Sequence, residues 1–121
     1  MDAQTFDIQP GLSAEREAVV TEKLVTTHTA TPVLSTPMMI SLMEGVSKDL
    51  VQQYLPPEFT TVGYEVHVRH KAAAFLGSLV KVRSRLLQAD GRKLLFEVRV
   101  THGETIIGEG EHRRTIVPMH F

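Results

Sequence analysis

The 121 residues contain no cysteine. Disulfides, thiolate zinc sites and cysteine nucleophiles are thereby excluded, and the composition fits a reducing compartment. Neither sign of charge is in excess: 13 Lys and Arg stand against 14 Asp and Glu, a formal net charge of −1. A broad nucleic-acid surface needs surplus Lys and Arg, so none is expected. No apolar run approaches the ~20 residues of a membrane-spanning helix. The opening Met1-Asp2-Ala3-Gln4 lacks the basic-then-apolar pattern of a signal peptide. The expectation is a cytoplasmic protein. There is no Walker loop, dinucleotide fingerprint or zinc-binding spacing, so neither a cofactor nor a metal is expected. His67 and His70 differ by an odd spacing and fall on opposite faces of a strand, where they do not share an ion.

What is present is a globular composition, 42% hydrophobic and 22% charged, in a length that suits one domain over residues 1–121. Residues 15–26 read as a first strand and residues 27–34 as a loop. Thr36-Pro37 is a helix start, a hydroxyl N-cap followed by proline at the first helical position. Met39, Met43, Val46 and Leu50 recur at helical spacing, and Pro56-Pro57 closes a helix near residues 36–54. Four alternating segments follow. Val62, Tyr64, Val66 and Val68 share one parity with His70; Val80, Val82, Ser84 and Leu86 form the next set. Asp90-Gly91 marks a hairpin turn, then Leu94, Phe96, Val98 and Val100 alternate before the turn at His102-Gly103-Glu104. Residues 105–117 form the last strand. Short turns imply antiparallel neighbours. The expected class is α+β, one long helix wrapped by a curved antiparallel sheet.

Three polar residues stand out by placement, and each has a structural reading beside a chemical one. Thr36 is a cap, worth ~1 kcal/mol, or a group at a helix N-terminus where free N–H donors polarise a carbonyl. Glu44 is an i,i+4 partner of Lys48, worth a few tenths of a kcal/mol, or a base or nucleophile. His70 ends an apolar strand face as a packing residue or serves as a proton carrier, its ordinary pKa of ~6.5 lying near neutrality.

Taken together, these segments resemble the fluoroacetyl-CoA thioesterase-like family of hotdog-fold thioesterases. The resemblance rests on Thr36-Pro-Met-Met-Ile-Ser-Leu-Met-Glu44, on Gly63 followed by His70-Lys-Ala-Ala-Ala, on the Gly91-Arg-Lys-Leu turn, and on Gly108-Glu-Gly-Glu-His-Arg-Arg114. It implies a hotdog fold and hydrolysis of an acyl-CoA thioester with a small or medium acyl group. It implies catalysis by Thr36, Glu44 and His70, and substrate or coenzyme A contacts by Gly63 and Arg114. It also implies a homodimer or a dimer of dimers with sites at the subunit interface. The competing reading is a non-catalytic hotdog protein that binds an acyl-CoA or related ligand. Fluoroacetyl-specific members carry a Phe-rich segment before the helix, whereas Thr27–Leu34 contains no aromatic residue. Eight residues of helix separate Thr36 from Glu44 by ~12 Å along the axis. Their cooperation therefore calls for a bent cap or for a second protomer.

Overall fold

The computed structural model describes residues 6–120; Met1–Gln4, read above for their lack of a signal pattern, lie outside the described residues. The order is β1 (Ser13–Val19), a 3₁₀ turn (Glu22–Leu24), β2 (Val25–Thr26), β3 (Val33–Leu34), α1 (Thr36–Gln52), β4 (Phe59–His70), β5 (Leu79–Asp90), β6 (Lys93–His102) and β7 (Thr105–Pro118). The main sheet is antiparallel with strand order β1-β5-β6-β7-β4. β2 and β3 form a separate two-residue ladder. The expected single strand over residues 15–26 is thus broken. β1 ends at Val19 because it runs out of partner where β5 begins at Leu79.

Helix α1 forms because its apolar residues fall on one stripe. Met39, Met43, Val46 and Leu50 are buried as the spacing requires, joined by Ser47 and Val51. Their partners are Val80, Val82, Leu86, Leu94, Phe96, Val98 and Val100 in the same core. Burying each such side chain stabilises by ~1.5–3 kcal/mol. A buried polar contact crosses this layer: Ser47 Oγ donates to Met43 O and lies 2.7 Å from Ser84 Oγ. Small hydroxyl residues at both positions satisfy each other without opening a void. The helix ends at Gln52, two residues earlier than expected, and Tyr54 lies beyond it, exposed.

The helix start differs from the sequence reading in a way that matters. The N-cap is Ser35, whose hydroxyl accepts from Met38 N at 3.3 Å. Thr36 is the first helical residue and its hydroxyl is not used as the cap. The parity of β4 also differs. The ladder between β4 and β7 shifts between Gly63 and Glu65, a β-bulge. Val66, Val68 and His70 keep the inner parity, but Val62 and Tyr64 lie outside at 36% and 46% exposure. Thr61 and Gly63 take the inner face instead, against Arg114.

Candidate active site

Two polar groupings lie at opposite ends of β4. The first joins the helix start to the strand end. Ser35 caps the helix, Pro37 brings no N–H, and Thr36 is left with an uncommitted hydroxyl. That hydroxyl lies 2.8 Å from His70 Nδ1. His70 is carried there because β4 extends the full twelve residues to Gly108 of β7. His70 Nε2 is buried and has no hydrogen-bond partner. A buried ring nitrogen without a partner is costly, on the order of 1–3 kcal/mol.

The second grouping surrounds a cleft of about 410 Å³ lined by Ser41, Glu44, Lys48, Gly63 and Arg114, among others. Arg114 is only 6% exposed. Its Nε donates to Thr61 Oγ1 at 2.8 Å, its Nη2 to Thr61 O at 2.9 Å, and its Nη1 lies 3.2 Å from His112 Nε2. Burial lowers the Arg114 pKa, opposed by the carboxylates of Glu44 and Asp49. The guanidinium nevertheless stays charged in a protein. Glu44 faces this cation across the cleft and makes no ion pair with Lys48 among the described residues. The i,i+4 reading of Glu44 is therefore not what the structure holds. Gly63 leaves space that these side chains fill: a Cβ would lie 2.8 Å from His112 Cε1 and 2.9 Å from Glu44 Oε2.

All five residues singled out in the sequence thus sit in these two groupings: Thr36 and His70 in one, Glu44, Gly63 and Arg114 in the other. The chain holds them apart. Gly63 and His70 are seven residues along the same strand, ~23 Å at ~3.3 Å per residue. Sequence reasoning missed Thr61 and His112. The signal for His112 was parity, since Gly108, His112, Arg114 and Ile116 alternate inward along β7 and are all buried. Among the described residues no group of His, Asp and Glu is placed to hold a metal. The segment that is Phe-rich in fluoroacetyl-specific members is here the β2–β3 connection, tied by a bridge from Val33 to Phe75.

Comparison with known proteins bears on this arrangement. Residues 9–120 match the family model described as fluoroacetyl-CoA-specific thioesterase. The fluoroacetyl-CoA thioesterase of Streptantibioticus cattleyicolor is 33% identical over 85 residues, a match covering 70% of this chain and 61% of that protein. A variant of the fluoroacetyl-CoA-specific thioesterase, solved with fluoroacetate and CoA, superposes with a TM-score of 0.86 at 27% identity, covering 93% of this chain and 97% of that one. A hot-dog-like protein from Thermanaerovibrio acidaminovorans superposes with a TM-score of 0.84 at 18% identity, covering 91% and 84%. The fold is therefore the hotdog, and the match over nearly all of the chain, with Thr36, Glu44, His70, Gly63 and Arg114 in polar clusters on its helix and sheet, makes the protein a member of the fluoroacetyl-CoA-specific thioesterase family.

Proposed function

We propose that the protein hydrolyses an acyl-CoA thioester with a small or medium acyl group, releasing the free acid and coenzyme A. The observation that carries this reading is the 2.8 Å contact between Thr36 Oγ1 and His70 Nδ1 at a helix N-terminus. In that pair His70 takes the Thr36 proton as Oγ1 attacks the thioester carbonyl. The developing oxyanion is held by the Thr36 N–H and the positive end of the helix. As the C–S bond breaks, His70 returns the proton to the coenzyme A thiolate. Glu44 then takes a proton from water, the hydroxide opens the acyl-threonine ester to release the acid, and the proton held on Glu44 passes to the departing Thr36 Oγ1, which restores both residues. No cofactor or metal enters these steps; coenzyme A is part of the substrate.

Glu44 reaches the acyl group from a second protomer. β4 is an edge strand with a free face of hydrogen-bonding groups, and Val62 and Tyr64 are exposed along it. Such an edge invites pairing. Antiparallel pairing of two β4 strands about a two-fold axis near Val66–His67 sets His70 of one beside Gly63 of the other. The Thr36–His70 pair then meets the cleft of Glu44 and Arg114 across the interface, and His70 Nε2 gains neighbours. In the cleft Arg114 and Gly63 contact the substrate, Arg114 through the N–H groups that Thr61 and His112 leave over.

The test is a panel of acyl-CoA esters assayed by thiol release with the parent and Glu44→Gln. Hydrolysis by the parent and a 10²–10⁴-fold lower kcat in the variant are expected, at about the scale of lost general-base action. Acyl-CoA binding without turnover by the parent would instead establish the non-catalytic reading.

A further inference from the structure

His112 is a buried residue behind the cleft, next to Arg114, to which the proposed reaction gives no chemical step. It is 1% exposed, with Nδ1 at 3.0 Å from Glu65 O and Nε2 at 3.2 Å from Arg114 Nη1. A guanidinium carries only donors, so Nε2 accepts. The ring proton therefore sits on Nδ1 and is donated to Glu65 O. That carbonyl belongs to the bulge between Gly63 and Glu65, where the chain is displaced from the regular ladder. Thr61 holds the Nε and Nη2 side of the same guanidinium. A Cβ at Gly63 would touch His112, Glu44 and Arg114 together, at 2.8, 2.9 and 3.3 Å, so the three groups converge on one point.

We propose that His112 is a positioning residue, donating through Nδ1 to the bulge and accepting through Nε2 from Arg114, that aims the guanidinium at Glu44 and at an oxygen of the substrate in the cleft. Two further facts support it. Burial lowers the His112 pKa, reinforced by the Arg114 charge and opposed by Glu65 O and Glu44, so the ring is neutral near pH 7 and Nε2 keeps its lone pair. The ring also stacks on Phe96, with centroids 6.2 Å apart and planes 28° apart, which fixes its rotation. The proposal rests on the thioesterase reading for its kinetic consequence but not for its structural one.

The experiment compares the parent with His112→Gln and His112→Asn. Glutamine places an acceptor where Nε2 stood; asparagine keeps a donor near Nδ1 and does not reach Arg114. The first readout is the NMR signals of the Arg114 Nη protons. Restrained, resolved signals are expected in the parent and in His112→Gln, and averaged signals in His112→Asn. The second readout is kinetic: His112→Asn lowers kcat by about 10–100-fold with KM within about two-fold, and His112→Gln restores most of it. If His112→Asn fails to fold, His112→Phe, which keeps the ring without either nitrogen, takes its place. Equal Arg114 signals in all three proteins, or an unchanged kcat in His112→Asn, would overturn the proposal. If the parent hydrolyses no acyl-CoA, the thioesterase reading falls while the Arg114 signals still decide the role of His112.

Discussion

Ser35 and Thr36 are adjacent hydroxyl residues with divided labour. Ser35 closes the first helical turn and Thr36 faces His70. The sequence alone does not divide them, because either residue satisfies the preference for a hydroxyl before Pro37. Substitution separates the two roles. Ser35→Ala removes the cap and is expected to cost ~1 kcal/mol in chemical denaturation. Thr36→Ala, in the good helix-forming direction, is expected to leave stability within ~0.5 kcal/mol while abolishing most thioester hydrolysis; Thr36→Ser, which keeps a nucleophilic hydroxyl, is expected to retain activity. Loss of activity in Ser35→Ala with a silent Thr36→Ala would reverse the assignment. Gly63 makes the same point from the other grouping. Its motif position was legible, but the reason for a glycine emerges only from the packing, where His112 and Glu44 fill the space of a side chain. Gly63→Ala is therefore expected to displace the Glu44 carboxylate and lower kcat while the fold persists, a result that activity and circular dichroism measure together.

At the scale of elements, the helix and four of the strands were readable because each keeps its period over most of its length. Where the period breaks, so did the reading. The bulge at Gly63–Glu65 moves Val62 and Tyr64 outward; Gly63 is a signal for such a bulge, but the unbroken alternation from Val62 to Val68 masks it. Likewise the first strand divides because its partner strand begins at Leu79, a fact about pairing that a linear pattern does not contain. Strand β7 carries a constraint of a different kind. A Cβ on Gly110 would collide with the His67 carbonyl and the Val68 Cα of β4. Those are backbone atoms of a paired strand and have nowhere to go. Gly110→Ala is expected to destabilise the protein by ~2 kcal/mol or more. At Gly108 the two nearest atoms belong to the Met39 side chain, which can shift, and the Arg69 carbonyl lies farther off at 3.0 Å, so the cost there is smaller. Melting curves of the two variants side by side check the ordering.

At the scale of the whole molecule, two properties follow from how the chain buries its polar groups. The first is a pH limit. Burial depresses the His112 pKa in the folded state below its ordinary value of ~6.5. Between those two values the unfolded chain binds a proton that the folded chain refuses. Stability from this group is therefore complete above about pH 6.5 and is lost as pH falls toward the folded-state value. The melting temperature of the parent should drop more steeply below about pH 6.5 than that of His112→Gln, which has no group to titrate there. The second is the assembly proposed above. The chain places Thr36 with His70 and Glu44 with Arg114, at two ends of one exposed strand edge, and leaves His70 Nε2 buried without a partner. That separation was partly legible, since eight helical residues already hold Thr36 and Glu44 apart; the edge position of β4 was not, because strand order is set by long-range pairing. In the proposed dimer, a two-fold pairing of β4 edges would join the halves of the site. Tyr64→Lys sets like charges along that edge without touching the core. Sedimentation should then show a shift from dimer toward monomer at micromolar concentration, with hydrolysis falling in proportion to the dimer lost and the melting of the monomer remaining cooperative. A monomeric Tyr64→Lys variant with full activity would show that one protomer completes the site by itself, and the cap region would have to carry Thr36 to Glu44 within a single chain.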